Sequence, residues 1–269
     1  MQVKFMSLGS GSSGNCYYLC SGEYAILIDA GIGIRSVKKI FKEYDLSLDN
    51  VKAVLITHDH ADHIKAAGHL GEKHGIPIYA TPEVHAGMNR SYCMTEKLSD
   101  EHRKFIHKGE WITLGDFKIT CFEVPHDGTD NVGYCIHFGN QCMSILTDIG
   151  HITPTAAQYI ACANYLVLEA NYDDTMLQMG PYPRHLKVRI SGPNGHLSNR
   201  EMSTFLAEHY PTGLKHLWLC HLSKENNHPG LVSKIVEQAF KEIGIIVGKD
   251  VIVEPLRRTV PSQIYLLDC

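Results

Sequence analysis

Residues 56–64 read ITHDHADHI, crowding His58, His60, Asp62 and His63 into one short stretch directly after the apolar run KAVLIT (52–57). An apolar strand ending there would hand several imidazoles and a carboxylate to one loop, where they can turn toward a common point. Nitrogen and carboxylate donors in that mixture suit Zn²⁺, Mn²⁺ or Fe, whereas a structural zinc site would draw on thiolates. The plainer reading is a polar surface turn with chance histidines. Against it stands the recurrence of ligand-type residues after later apolar runs: His126 in VPHD, Asp148 in LTD and His221 in LCHLS. Any one of these three alone would read as incidental, but in order they extend the first run into a set. The chain has 17 histidines, so spacing rather than number selects the functional ones.

With 269 residues, 44% of them hydrophobic and 20% charged, the chain fits a soluble globular protein with a sizeable core. No stretch approaches the ~20 apolar residues of a membrane span. The start, MQVKFMSLGSGSSG, lacks the charged-then-apolar order of a signal peptide, so a cytoplasmic protein is expected. A net charge of −4 argues against a wholly basic nucleic-acid binder and leaves room for a local basic groove. The nine cysteines contain no C-x-x-C pair. Most of them, including Cys121, Cys135, Cys142 and Cys162, sit in apolar runs and read as reduced core thiols.

Hydrophobic periodicity predicts strands at 3–8, 15–20 and 24–29. A helix follows at 34–44, where Val37, Ile40 and Phe41 oppose Lys38, Lys39 and Lys42. Then come a strand at 52–57, a helix at 63–74, a strand at 77–81 and a helix at 82–92 with proline in its first turn. Strands at 111–113, 117–124, 132–138 and 141–147 lead to a helix at 154–161 and a buried strand, NYLVLEA (164–170). Residues 171–198 read as a long polar connection, followed by a helix (199–209), a strand (215–220), a helix (229–242) and strands near 250–254 and 262–267. Strand clusters interleaved with helices in both halves predict two sheets packed face to face with helices outside.

With these residues in place, the chain resembles the metallo-β-lactamase superfamily. His58-x-His60-x-Asp62-His63 matches its H-x-H-x-D-H signature, and His126, Asp148 and His221 follow in its order. The resemblance implies an α/β fold, the αββα four-layer sandwich, formed by residues 1–269 as a single domain. It further implies two divalent metal ions per chain, Zn²⁺, Mn²⁺ or Fe. His58, His60 and His126 would hold one, Asp62, His63 and His221 the other, and Asp148 would bridge them. Such a pair activates water and clamps the oxygens of a displacement, with Asp62 part of the catalytic machinery.

Within the superfamily, position 60 is His rather than the Glu of flavodiiron proteins, and position 148 is Asp rather than the Cys of secreted β-lactamases. The short stretch from Asp148 to His221 leaves no room for a β-CASP insert, and a tRNase Z-type glycine-rich arm has no clear counterpart. LGSGSSGNCYYL, LEANYD, MLQMGPYPRHLKVRISGPNGHLSN and LCHLSKENN are similar to the YycJ/WalJ-like group, a phosphodiesterase branch related to tRNase Z-like hydrolases. That resemblance implies a 5′→3′ DNA exonuclease with nucleic acid, DNA in particular, as its substrate. A small-molecule hydrolase acting on a cyclic phosphodiester, thioester or lactone is the alternative, and a metal-loaded sensor without turnover is the third reading. The motifs accommodate any of the three metals, DNA or RNA, either cleavage polarity and any oligomeric state.

His196, in GPNGHLSN (192–199), is left over once seven ligands are assigned. It can be a further ligand, a bystander beside a helix cap at Ser198 or Asn199, or the acid that protonates a leaving alkoxide. The resemblance implies the last, with Glu169 of LEAN orienting the ring. Arg184, His185, Lys187 and Arg189 fall in the polar connection, where they form either phosphate contacts or a solvated charged loop. GSGSSGN (9–15) reads as a tight turn or a backbone phosphate cradle, and Asp173 and Asp174 as a turn cap or a solvated pair.

Overall fold

The computed structural model describes residues 2–269. Its strands form two seven-stranded sheets. The first sheet contains β1 (Val3–Gly9), β2 (Cys16–Ser21), β3 (Tyr24–Ile28), β4 (Val51–Leu55), β5 (Ile78–Ala80) and β6 (Arg103–Phe105), with β14 (Tyr265–Leu267) beside β1. The second runs, in spatial order, from β7 (Trp111–Leu114) through β8 (Phe117–Glu123), β9 (Val132–Phe138), β10 (Gln141–Leu146), β11 (Tyr165–Glu169) and β12 (His216–Cys220) to β13 (Ile252–Pro255). In each sheet an antiparallel part passes into a parallel part, β3 to β6 in the first and β10 to β13 in the second. Parallel strands covered on both faces need continuous rather than alternating apolar sequence. The fully buried YLVLE of β11 and HLWLC of β12 supply it.

The helices divide between the outer faces. On the first sheet, α1 (Ile34–Glu43), α3 (Ala67–His74) and α4 (Pro82–Arg90) bury Val37, Phe41, Leu70 and Val84 against Met6, Tyr18, Leu27 and Val54. On the second, α5 (Pro154–Ala161), α8 (Asn199–Glu208) and α9 (Pro229–Glu242) bury Ile160, Met202, Leu206, Val232 and Val236 against Leu146, Leu166 and Leu217. Between the sheets, Phe5, Tyr17, Ile26 and Leu55 meet Ile119, Tyr134, Val167 and Trp218. Each such side chain contributes roughly 1.5–3 kcal/mol by leaving water. The result is the expected αββα sandwich. Among the described residues no helix is long and apolar enough to cross a membrane.

The elements depart from the sequence expectations in four places. The helix expected at 63–74 is split into α2 (Ala61–Ile64) and α3, because the Ala66 amide is drawn to the Ala30 carbonyl at 2.8 Å instead of continuing the helical ladder. The connection expected at 171–198 contains two short helices, α6 (Asp174–Met179), capped by the Asp173 side chain, and α7 (Arg184–Ile190), which follows Pro183. Arg184, His185, Lys187 and Arg189 therefore lie on a helix and not on a loop. Tyr172, Leu177 and Ile190 form a small core beneath these helices, too local to register as hydrophobic periodicity. The three-residue β6, Arg-Lys-Phe and largely exposed, was not expected, and Cys162, expected in the core, is exposed.

Candidate metal centre

Every expected ligand leaves the C-terminal end of a strand. His58, His60, Asp62 and His63 follow β4 in the first sheet, while His126, Asp148 and His221 follow β8, β10 and β12 in the second. Since β8, β10 and β12 run in the same direction, their ends open onto one edge, and the two sheets face their ligand-bearing loops toward each other. Gly31 makes the close approach possible: a Cβ there would fall 1.6 Å from the Asp62 carbonyl oxygen. That carbonyl accepts the Asn15 amide at 2.8 Å, which ties the histidine-bearing loop to the turn between β1 and β2. The turn itself is GSGSSGN, closed by the Asn15 side chain accepting the Gly11 amide at 2.8 Å.

The ligand atoms gather in overlapping groups: His58, His60 and His126; Asp62, His63 and His221; and His58 and His63 with Asp148, each group having atoms within 4.8 Å of one another. The ring nitrogens reveal how they are aimed. His63 donates Nδ1–H to Asp29 Oδ2 at 2.7 Å, His126 donates Nδ1–H to the Gly195 carbonyl at 2.8 Å, and His221 donates Nδ1–H to Glu169 Oε1 at 2.8 Å. At His58, Nδ1 lies 3.0 Å from Thr57 Oγ1, whose own proton goes to Asp29. In all four rings a partner fixes Nδ1 as the donor and turns Nε2 inward; at His58 and His221 that nitrogen has no hydrogen-bond partner, while His63 Nε2 lies 2.9 Å from Asn15 Nδ2 and 3.1 Å from Asp148 Oδ2. That arrangement orients and strengthens an imidazole ligand.

A buried polar atom without a partner costs free energy. Among the described residues three such atoms fall within this cluster: His58 Nε2, His221 Nε2 and Asp148 Oδ2. Their number, chemistry and convergence fit divalent cations held by nitrogen and carboxylate oxygen.

The electrostatics are those of a packed ionic cluster. Burial, reinforced by neighbouring His63, holds the His58 imidazole well below its ordinary range, and burial lowers His126. Burial also opposes protonation of His63 and His221. There the carboxylates prevail: Asp29, Asp148 and Asp62 raise His63, while Asp148, Asp62 and Glu169 push His221 up to about 10. Against burial, His63 and His221 bring Asp62 down to about 2. Protons and cations thus compete for the same Nε2 lone pairs, which makes cation binding weaker in acid.

Glu169 is wholly buried at the end of β11 and joins three elements. Its Oε1 accepts from His196 Nδ1 and from His221 Nδ1, each at 2.8 Å, while Oε2 accepts the amides of Ile149 at 2.9 Å and Leu197 at 3.2 Å. His196 keeps 17% of its side chain exposed and lines a cavity of about 180 Å³ with His221, Tyr182, Leu186 and Arg189. Burial would lower the His196 imidazole, but Glu169, aided by Asp148, raises it above its ordinary value. Ser198 caps α8 through a reciprocal box with Glu201, so the loop carrying His196 is fixed at its far end.

Of the three basic residues expected at the substrate, only Arg189 reaches this cavity. Its Nε donates to Asp127 Oδ2 at 2.6 Å, and Asp127 Oδ1 lies 3.4 Å from His60 Nε2. Lys187 Nζ donates instead to the Gln178 carbonyl at 2.6 Å, and Arg184 projects into solvent. Asp29, Asn15 and Asp127 are the polar residues sequence reasoning missed as parts of the site. Asp29 and His221 also adopt left-handed backbone, φ 61° and 52°, uncommon outside glycine. In sequence, only the position of Asp29 at the end of an apolar strand could have singled it out.

Comparison with known proteins agrees with this fold. Residues 24–221 match the family profile described as Beta-lactamase superfamily domain. The chain is 32% identical over 264 residues, 98% of its length and 99% of the relative's, to a protein named exodeoxyribonuclease YycJ from Bacillus anthracis. It is likewise 32% identical over 247 residues to a protein named exodeoxyribonuclease WalJ from Streptococcus pneumoniae, covering 92% of this chain and 91% of that one. Among solved structures, the metallo-β-lactamase fold protein YhfI from Bacillus subtilis superposes with a TM-score of 0.72 at 20% identity, over 99% of this chain and 100% of that one.

Proposed function

Because the chain belongs to the β-lactamase superfamily, we propose that it is a dinuclear metal-dependent phosphodiesterase that degrades DNA as a 5′→3′ exonuclease. The observation that carries the reading is the pairing of His196 with buried Glu169, 2.8 Å apart, beside an orphaned set of nitrogen and oxygen ligands. Full-length similarity to proteins named as exodeoxyribonucleases supports the choice of polymer.

His58, His60 and His126 would hold one cation, Asp62, His63 and His221 a second, with Asp148 between them. When bound, such a pair lowers the pKa of water and neutralises charge on a phosphodiester. The protein's own part is positional and acid–base. Asp29, Thr57, Gly195 and Glu169 fix which nitrogen each histidine presents. A departing 3′-alkoxide needs a proton, and a histidine outside the ligand set whose imidazolium is favoured by a buried carboxylate is suited to give it. Glu169 orients the ring and holds the proton on it, and His196 delivers that proton from the nitrogen facing the cavity. Arg189, anchored by Asp127, stands at the same cavity to meet a phosphate of the scissile strand. Since the proposed polymer is intracellular, a cytoplasmic location belongs to the same proposal.

The test is metal-reconstituted protein incubated with 5′- and 3′-end-labelled single- and double-stranded DNA, matched RNA and bis-p-nitrophenyl phosphate. Mononucleotide release from the 5′ end of DNA is expected. Turnover of the small ester with every polymer left intact would replace this reading with that of a small-molecule hydrolase.

A further inference from the structure

On the outer face of the second sheet, away from the histidines, three sulfurs converge. Cys135 on β9 and Cys142 on β10 are diagonal cross-strand neighbours, since His137 pairs with Cys142 and Cys135 with Ser144. Their Sγ atoms lie 3.3 Å apart. Cys162, the residue that ends α5, adds a third Sγ 3.5 Å from that of Cys142, and all three lie within 4.8 Å of one another. The first two are buried and the third is exposed, so the cluster has one side open to water.

The backbone builds this convergence rather than leaving it to a mobile side chain. Asn164, two residues past Cys162, accepts the Cys142 amide with its side-chain oxygen at 2.9 Å and donates its own amide to the Cys142 carbonyl at 2.8 Å. Ser144 Oγ donates to the Tyr159 carbonyl at 2.7 Å, pinning the last turn of α5 to the same strand. Three thiols that served only as small apolar groups would gain nothing from meeting, and one of them would not face solvent.

We propose that Cys135, Cys142 and Cys162 form a second, thiolate-only metal site that takes a soft d10 cation of the Zn²⁺ or Cd²⁺ class, with its solvent side left for a fourth ligand. Thiolate donors select such ions, in contrast to the nitrogen and oxygen donors of the hydrolytic centre. Zinc–sulfur bonds of about 2.3 Å place sulfurs in a tetrahedral site about 3.8 Å apart. The Cys135–Cys142 and Cys142–Cys162 pairs, 3.3 and 3.5 Å apart, need to spread by only a few tenths of an ångström, which χ1 adjustments of the three side chains supply. The incoming cation displaces the thiol protons as it binds, the Cys162 proton from the Tyr159 carbonyl 3.2 Å away. Asp148 follows the opposite end of β10, six residues from Cys142, or about 20 Å along a strand, so the role is structural: the ion would staple the end of α5 to the sheet.

The test is titration of reduced, metal-free, full-length protein with Cd²⁺, followed by the ultraviolet thiolate-to-cadmium charge-transfer band. The hydrolytic cluster contains no sulfur and is silent in that band. The expected result is one equivalent of Cd²⁺ with the intensity of three Cd–S bonds. Cys162→Ser, at an exposed position that leaves the core untouched, should weaken that site by about tenfold or more, and Cys142→Ser/Cys162→Ser should abolish it. Cys121→Ser should leave the band intact, and hydrolysis by the reconstituted Cys162→Ser protein should be unchanged. Absence of the band in folded wild-type protein, or its persistence in the double variant, would overturn the proposal. So would a Cys142–Cys162 disulfide found by peptide mapping of protein that takes up no Cd²⁺, which would mark the cluster as a redox pair instead.

Discussion

Asp29 Oδ2 accepts the Nδ1 proton of His63 at 2.7 Å, and neither side chain reaches solvent. The contact joins the end of β3 to the loop after β4 and decides which nitrogen His63 turns inward. Asp29→Ala should therefore release the second cation. Removing such a partner lowers metal affinity by about 10- to 100-fold. Isothermal titration of the metal-free variant with Zn²⁺ or Mn²⁺ measures this, and an unchanged second binding step would contradict the orienting role. Asp29→Asn, which keeps an acceptor oxygen, should lose less.

His196 contributes a proton rather than a ligand in the mechanism above. His196→Ala should lower kcat on DNA by about 10²- to 10⁴-fold, with metal content by elemental analysis unchanged. Loss of one metal equivalent would reassign His196 to the ligand set.

The direction of the His196 shift fixes the pH dependence. A donor whose imidazole is raised by Glu169 stays protonated to higher pH than an ordinary histidine. Its contribution is complete at low pH and lost as pH climbs through the raised value. Glu169→Gln removes the carboxylate and should move the alkaline limb of kcat toward lower pH. Because Glu169 also holds His221, the profile is to be taken at saturating metal, and an unmoved limb would show that the limb belongs to another group.

Arg189 and Arg184 lie on one helix but differ in what they reach. Arg189→Ala should raise KM for DNA and reduce the slope of log KM against log salt by about one, whereas Arg184→Ala should change neither. Equal effects from both would indicate diffuse attraction by the helix rather than a phosphate contact in the cavity.

His216 offers a test independent of the metal centre. Burial against Trp218, whose ring lies 3.8 Å away, outweighs the Glu254 carboxylate and brings His216 down to about 4 from 6.5. The unfolded chain binds that proton more readily, so stability falls as pH drops below about 6.5 and levels off below about 4. Over that window the difference amounts to at most about 3 kcal/mol. Urea unfolding of chelated wild-type and His216→Gln protein at pH 7.5 and 5 should show the variant losing less. Parallel losses would exclude His216 as the source.

What could be read from the sequence follows from the range of the interactions that determine each feature. Strands such as YLVLE and HLWLC are specified by their own apolar continuity, and the ITHDHADHI run carries four expected ligands within one loop and the short helix α2. Asp29, Asn15 and Asp127 owe their places to partners tens of residues away, so no local pattern marks them. The two helices α6 and α7 are too short for periodicity and rest on a three-residue core and an aspartate cap. Arg184, Lys187 and Arg189 looked equivalent in sequence; the helix separates them, turning only one to the cavity. The three cysteines read singly as core thiols because strand register, invisible in the sequence, is what brings them together.

The seven expected ligands are divided four to three between sheets that pair no strands with each other. Neither half of the chain carries a complete set, and His221 comes near its end. Cations gripping both halves would act as rivets across the sandwich, so that chelation loosens the packing of Phe5 and Trp218 as well as stopping turnover. Under the proposed function, the last expected ligand must emerge and the halves must close before the metal set is complete.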